Sequence, residues 1–257
     1  MSGSVRGSNS ILLGASNLTL AWPRIMRELE LRLPAERTVL TAHGMGRSYL
    51  AEKCRFGFRQ LPGILQSALW QQLADLPVDR PSFALITDLG NDLVFGSASS
   101  AVANAAEECV QRVRNWNPAA QIVMTRPPLA AVSGLGRLRY GFFRRLLFPR
   151  CRMTLEEIKE GVRQLDTRVR QLATDQNLVL LEPRLEWYGL DPIHVLRQHQ
   201  RAAFGSMMDL WGLARSGEQA TAAKWPRPLA HTRWKFGREL TMEQPVHRSG
   251  GTTVYAY

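Results

Sequence analysis

The sequence predicts an α/β domain in which a parallel sheet is covered by helices on both faces. Three observations carry that expectation. Short β-rich runs alternate with helical patterns along most of the chain, the order that builds a parallel sheet. The runs are continuously apolar, as strands buried on both faces are. The 257 residues bury roughly 70–75% of the surface an unfolded chain of this size exposes, so no disulfide or metal is needed to hold the domain.

The elements follow in order. Residues 11–15 read as a first strand, and 18–33 as a helix containing Pro23. Residues 38–42 form a second strand leading into "HGMGRSY", and 64–76 are helical. Residues 82–89, "SFALITDL", make a third strand, and 97–116 a helix. "QIVMT" at 121–125 is a fourth strand, closed by Pro127-Pro128, and 178–181 a fifth, closed by Pro183. The clearest helix spans 154–175. Thr154 followed by Glu157 is a capping box, and Leu155, Ile158, Val162, Leu165, Val169 and Leu172 step by three and four into one apolar stripe. A last helix is expected over 192–213.

Two segments break the alternation. Residues 129–152 are a basic, aromatic insertion after the fourth strand. Its place makes it a lid or substrate wall over the sheet edge, or else a surface helix packing Leu and Phe inward. Beyond 214 the chain turns to Gly, Pro, Thr and Arg. The domain is therefore placed at 1–213, with an extended basic tail over 214–257.

The net charge of +11 is concentrated. Residues 126–152 hold seven arginines and no acid, and 215–248 hold seven basic residues against three acids. Such a patch attracts anionic partners, or is simply a solvated arginine-rich face. Cys54, Cys109 and Cys151 make no CxxC and no zinc spacing, which points to a reducing compartment or inert thiols. No signal-peptide pattern and no run of 18 apolar residues is seen, so a cytoplasmic location is expected. There is no internal repeat.

In parallel sheets, ligands bind beyond the carboxyl ends of the strands. Ser16, the loop 43–48 and Asn91 all follow predicted strands. Acyl transfer by a serine needs a nucleophile, a histidine base, an acid to orient it and donors for the oxyanion. Of five histidines, His194 stands three residues after Asp191 in "GLDPIHV", close enough to face it if the segment turns helically. The same residues also read as a helix N-cap followed by Pro at N1. Asn91 in "LGND" offers an amide donor, or marks a turn. Gly44 and Gly46 let main-chain N–H groups approach a ligand, or form a tight loop. His43 reads as a strand-end residue.

Serine, glycine, asparagine and Asp-x-x-His in that order resemble the SGNH (GDSL-type) hydrolase superfamily, over residues 11–213. Gly14-Ala15-Ser16 resembles the first block, Gly46 (with Gly44 as alternative) the second, Gly90-Asn91-Asp92 the third, and Asp191-Pro192-Ile193-His194 the fifth. The resemblance implies a three-layer α/β/α sandwich of the flavodoxin-like kind, with a five-stranded parallel sheet. It implies a carboxylic ester hydrolase, deacetylase or acyltransferase that uses no metal and no cofactor. Its catalytic residues would be Ser16, Asp191 and His194, with Ser16, Gly46 and Asn91 forming the oxyanion hole. The substrate would be a small-molecule, carbohydrate or lipid ester. Two departures stand out: Ala15 replaces the first-block acid, and Ala42-His43 replace the Asn that precedes the second-block glycine.

The α/β-hydrolase alternative lacks a G-x-S-x-G elbow, and no Walker-type phosphate loop is present. The rival from another class is a catalytically degenerate scaffold. It would bind an anionic polymer or a membrane surface through Arg137, Arg139, Arg144, Arg145, Arg150 and Arg152, with Tyr140, Phe142 and Phe143 interleaved. Nucleic acid is the less expected partner of that patch.

Overall fold

The computed structural model of the protein describes residues 7–149, 151–215, 225, 232–236, 238–241, 244 and 246–257. The chain begins with β1 (Ser8–Leu13), α1 (Ser16–Arg32) and β2 (Arg37–Ala42). A hairpin follows, β3 (Lys53–Phe56) and β4 (Arg59–Pro62), then α2 (Leu69–Ala74), β5 (Ser82–Ile86), α3 (Asn91–Val94), α4 (Ser99–Trp116) and β6 (Gln121–Thr125). Next come α5 (Leu129–Ser133), α6 (Arg137–Leu147), α7 (Leu155–Asp175), β7 (Val179–Leu181) and α8 (Gln200–Asp209). Four strands remain: β8 (Thr232–Lys235), β9 (Arg238–Thr241), β10 (Val246–Ser249) and β11 (Thr252–Ala256).

The central sheet has the order β10-β11-β2-β1-β5-β6-β7. The five strands from β2 to β7 are the expected parallel set. Because β1 lies between β2 and β5, the chain leaves it in opposite directions, and a crevice opens at the carboxyl ends. Side chains alternate across β1. Ile11 and Leu13 join the core under α4 and α7, while Leu12 joins the core under α1 and α8. The continuous apolar run thus reflects burial on both faces.

The sheet has seven strands rather than five. Residues expected in the extended tail supply the other two: β11 pairs in parallel with β2, and β10 antiparallel with β11. Without β11, β2 would be an edge with an unpaired row of N–H and C=O groups. Val254 and Ala256 are fully buried against the α1 side and the sheet. The boundary placed at 213 therefore does not separate sheet from tail. Residues 216–224, 226–231, 237, 242, 243 and 245 of that tail, like Arg150 of the basic patch, lie outside the described residues.

β1 also starts three residues earlier than its apolar run. Ser8, Asn9 and Ser10 are fully buried, and Asn9 Nδ2 donates to the carbonyl of Pro77 at 2.9 Å. That bond offsets the burial of the amide nitrogen. The capping box at Thr154 and Glu157 is formed. Among the described residues no helix is long and apolar enough to cross a membrane.

Candidate active site

β1 ends at Leu13, and Gly14 and Ala15 lead into the first turn of α1, which opens on Ser16. Gly14 is demanded by space, since a Cβ there would stand 2.7 Å from side-chain carbons of Leu18 and Thr87. Ser16 Oγ lies 2.9 Å from His194 Nε2, and His194 Nδ1 lies 2.6 Å from Asp191 Oδ2. The second oxygen of Asp191 accepts the N–H groups of Ile193 at 3.0 Å and His194 at 3.3 Å. One carboxylate therefore bends the segment and holds the imidazole.

This is not a helical turn. Residues 191–194 form a bend in a loop pinned by the bridge between Tyr188 and Val195, and α8 begins only at Gln200. The expected helix over 192–213 is correspondingly short, and Asp191-Pro192 is no helix cap. Burial pushes the Asp191 carboxyl up, but its hydrogen bonds and the charge of His194 outweigh this and hold it below the usual carboxylate range. Serine, imidazole and carboxylate are thus linked in one chain of hydrogen bonds that can carry a proton from Ser16 to His194.

Two acids to which sequence reasoning gave no role fix the surrounding loops. Asp88 follows β5 in the left-handed region, at φ 64°, which Asp tolerates better than most residues. Its Oδ2 accepts the N–H of Ala15 at 2.8 Å and of Asn17 at 3.1 Å, and its Oδ1 accepts from Asn17 Nδ2 at 2.7 Å. Asn17 in turn donates to the Ile193 carbonyl at 2.9 Å and accepts the Val195 N–H at 2.8 Å. The residues on both sides of Ser16 are thereby tied to the residues on both sides of His194. The signal was an acid placed directly after a strand; reading the strand through 89 hid it.

Asp92 is the second. It accepts the Ser48 hydroxyl and, at 2.9 Å, the N–H of Tyr49. Burial raises the Asp92 carboxyl, against the pull of Ser48 and the N–H groups of Tyr49 and Leu50. The loop after β2 is thereby joined to the start of α3, which opens on Asn91.

Ser16, Gly46, Asn91 and His194 line one cleft of about 950 Å³. Gly46 sits at φ 66°, a conformation that favours glycine. Gly44 packs instead against Leu61, where a Cβ would meet Cδ1 at 2.4 Å. His43 is a core residue, fully buried, stacked on Trp22 with ring centroids 5.0 Å apart and 2.9 Å from Thr19 Oγ1. The far walls are the β3 strand and residues 146–149 and 151–153. The cleft carries Lys53, Arg55 and Arg152 and, among the described residues, no carboxylate.

No protein-family model and no curated protein matches the chain. Solved structures do. A carbohydrate acetylesterase from Sinorhizobium meliloti superposes with a TM-score of 0.55 at 17% identity, covering 79% of this chain and 98% of that one. The native aryl esterase of M. smegmatis gives 0.52 at 18% identity, covering 80% and 100%. The chain has the SGNH hydrolase fold. The first-block acid of the SGNH pattern is absent from this chain, and the main chain of Ala15, which stands in its place, is held by Asp88 from the loop after β5.

Proposed function

We propose that the protein is a serine-dependent carboxylic ester hydrolase. The observation that carries the reading is the continuous hydrogen-bonded run from Ser16 through His194 to Asp191, the first two lining the cleft. His194 Nε2 takes the Ser16 proton as Oγ attacks the ester carbonyl. Asp191 fixes the imidazole with Nδ1–H toward the carboxylate and stabilises the imidazolium. The oxyanion is met by the N–H of Ser16, the N–H of Gly46 and the Asn91 amide. Asp88 supports the first of these: it takes the N–H groups of Ala15 and Asn17 and leaves that of Ser16 between them. His194 then protonates the leaving alcohol, and water releases the acyl group by the same steps in reverse roles.

The cleft walls favour an ester with an apolar body and a negative group. Phe56, Phe95 and Phe148 supply apolar surface, and Lys53, Arg55 and Arg152 supply charge of one sign. The fold neighbours, a carbohydrate acetylesterase and an aryl esterase, make acetyl and aryl esters the first substrates to test.

The test is covalent trapping. A fluorophosphonate should add once to the native chain, as read by intact mass, not at all to Ser16→Ala, and slowly to His194→Ala. Loss of the nucleophile should remove nearly all turnover of p-nitrophenyl acetate. A folded native chain that takes no adduct would leave Ser16 a turn residue on a retired scaffold.

A further inference from the structure

Helix α6 has no buried residue, although it carries Leu138, Phe142, Phe143, Leu146 and Leu147. Its apolar side chains divide between two faces. Tyr140 turns toward the domain, packing on the core and donating its hydroxyl to the Met153 carbonyl at 2.5 Å. Arg139 fastens the helix to the His194 loop, donating to the carbonyls of Gly189 at 3.1 Å and Leu190 at 2.7 Å. Leu138, Phe142 and Leu146, at successive steps of four, face solvent with 92%, 62% and 62% of their surface exposed. Residues four apart share a helix face, so these three form one outward stripe about 12 Å long.

The stripe is edged by charge of a single sign. Arg145 lies beside the stripe and Arg137 is exposed at the start of the helix, while Arg144 turns back over the Tyr140 ring at 5.9 Å, and no acid occurs between residues 126 and 152. Arg137 has only a distant, exposed contact to Glu156 at 3.6 Å, and Arg145 and Arg152 make no ion pair among the described residues. A soluble partner would have to cover apolar side chains and neutralise arginines in the same few square nanometres. An anionic lipid surface does both: acyl chains receive the stripe, and phosphates receive the guanidiniums. The helix also ends at the cleft, since Leu146, Leu147 and Arg152 line it together with Ser16 and His194.

We infer that α6 is an interfacial helix that docks the protein on anionic lipid surfaces with the cleft mouth at the interface. The docking is independent of the hydrolase reading, because the stripe and its arginines take no part in the proton relay.

The experiment is cosedimentation of the full chain with vesicles of phosphatidylcholine alone and of phosphatidylcholine with phosphatidylglycerol. Binding is expected only to the anionic vesicles and should weaken with salt. Phe142→Glu should lower affinity at least about tenfold, and Arg137→Gln with Arg145→Gln about thirtyfold together. Both variants should keep the native melting curve, and fluorophosphonate labelling of Ser16, where the native chain shows it, should be unchanged. Three results would overturn the inference: no binding of the native chain to anionic vesicles, binding that salt abolishes but Phe142→Glu leaves intact, or a dimer that Phe142→Glu dissolves without any vesicle binding. The last would assign the stripe to a second copy of the chain. Vesicle binding with an inert Ser16 would leave the docking standing and sink only the hydrolase reading.

Discussion

Asp88→Asn is the substitution that tests how the site is held. Asn tolerates the left-handed backbone at φ 64° and keeps the side-chain shape. With its oxygen placed where Oδ2 now accepts the N–H groups of Ala15 and Asn17, the new amide nitrogen stands where Oδ1 was, 2.7 Å from Asn17 Nδ2. Two donors then face each other. Asn17 cannot relieve this by flipping, because the flip would set its oxygen against the Ile193 carbonyl and its nitrogen against the Val195 N–H. Losing one charge-assisted hydrogen bond and opposing two donors costs about 2–3 kcal/mol. In a chain of this size, that lowers Tm by roughly 4–12 °C. If the loops shift instead, a displacement of Ser16 against His194 by about 1 Å costs about 10² in kcat. We expect kcat on p-nitrophenyl acetate and the rate of fluorophosphonate trapping to fall together, with KM little changed. A variant with native Tm, kcat and trapping rate would refute the claim that Asp88 positions the nucleophile.

Three further outcomes are expected. Asn91→Ala should lower kcat about 10²–10³-fold with little change in KM, if its amide meets the oxyanion; steady-state kinetics on one ester reads this directly. Glu28 is fully buried and ion-paired with Arg32, Arg201 and Arg215; Glu28→Ala leaves the buried Arg32 to Asp209 and the Gly205 carbonyl and should cost about 2–3 kcal/mol for the lost charge-assisted bonds, seen as a fall in Tm of roughly 4–12 °C. Asp191 is held below its usual pKa in the fold, so the native state binds fewer protons there than the unfolded chain. Its stabilisation is present above the unfolded value and disappears as pH falls through the folded one. Urea titrations of Asp191→Asn across the acid range should show a shallower loss of stability than the native chain, by up to about 1.4 kcal/mol per pH unit.

Much of the fold could be read from local pattern. Strands buried on both faces leave continuous apolar runs, and Thr154 with Glu157 marked the start of α7. Ends were misjudged where polar residues are buried in the sheet, as at Asn9, whose Nδ2 reaches the distant Pro77 carbonyl. The hairpin of β3 and β4 carries five exposed residues of its eight and left no periodic signal. β11 was missed for a different reason. A single strand beside β2 is specified by the edge it covers, and that edge exists only once the sheet has formed.

The site divides along the same line. Ser16, Asn91, Asp191 and His194 were legible because residue type, order and strand ends are local properties. The choice between Gly44 and Gly46 was not: the sequence offers two glycines two residues apart, and only the packing of Leu61 on Gly44 and the left-handed turn at Gly46 separate them. Nor was the manner in which Asp191 meets His194, through a bend rather than a helix, since the bend depends on the Tyr188 to Val195 bridge and on Asn17, 178 residues from Val195 in the chain. The role of the insertion likewise required three dimensions. Its composition is a matter of sequence, but which leucines and phenylalanines turn outward depends on where Tyr140 and Arg139 anchor the helix. By itself the sequence determined which groups are available and roughly where strands present them. The tertiary structure decided which of those groups meet, because hydrogen bonds and contacts between residues far apart in the chain have no local signature.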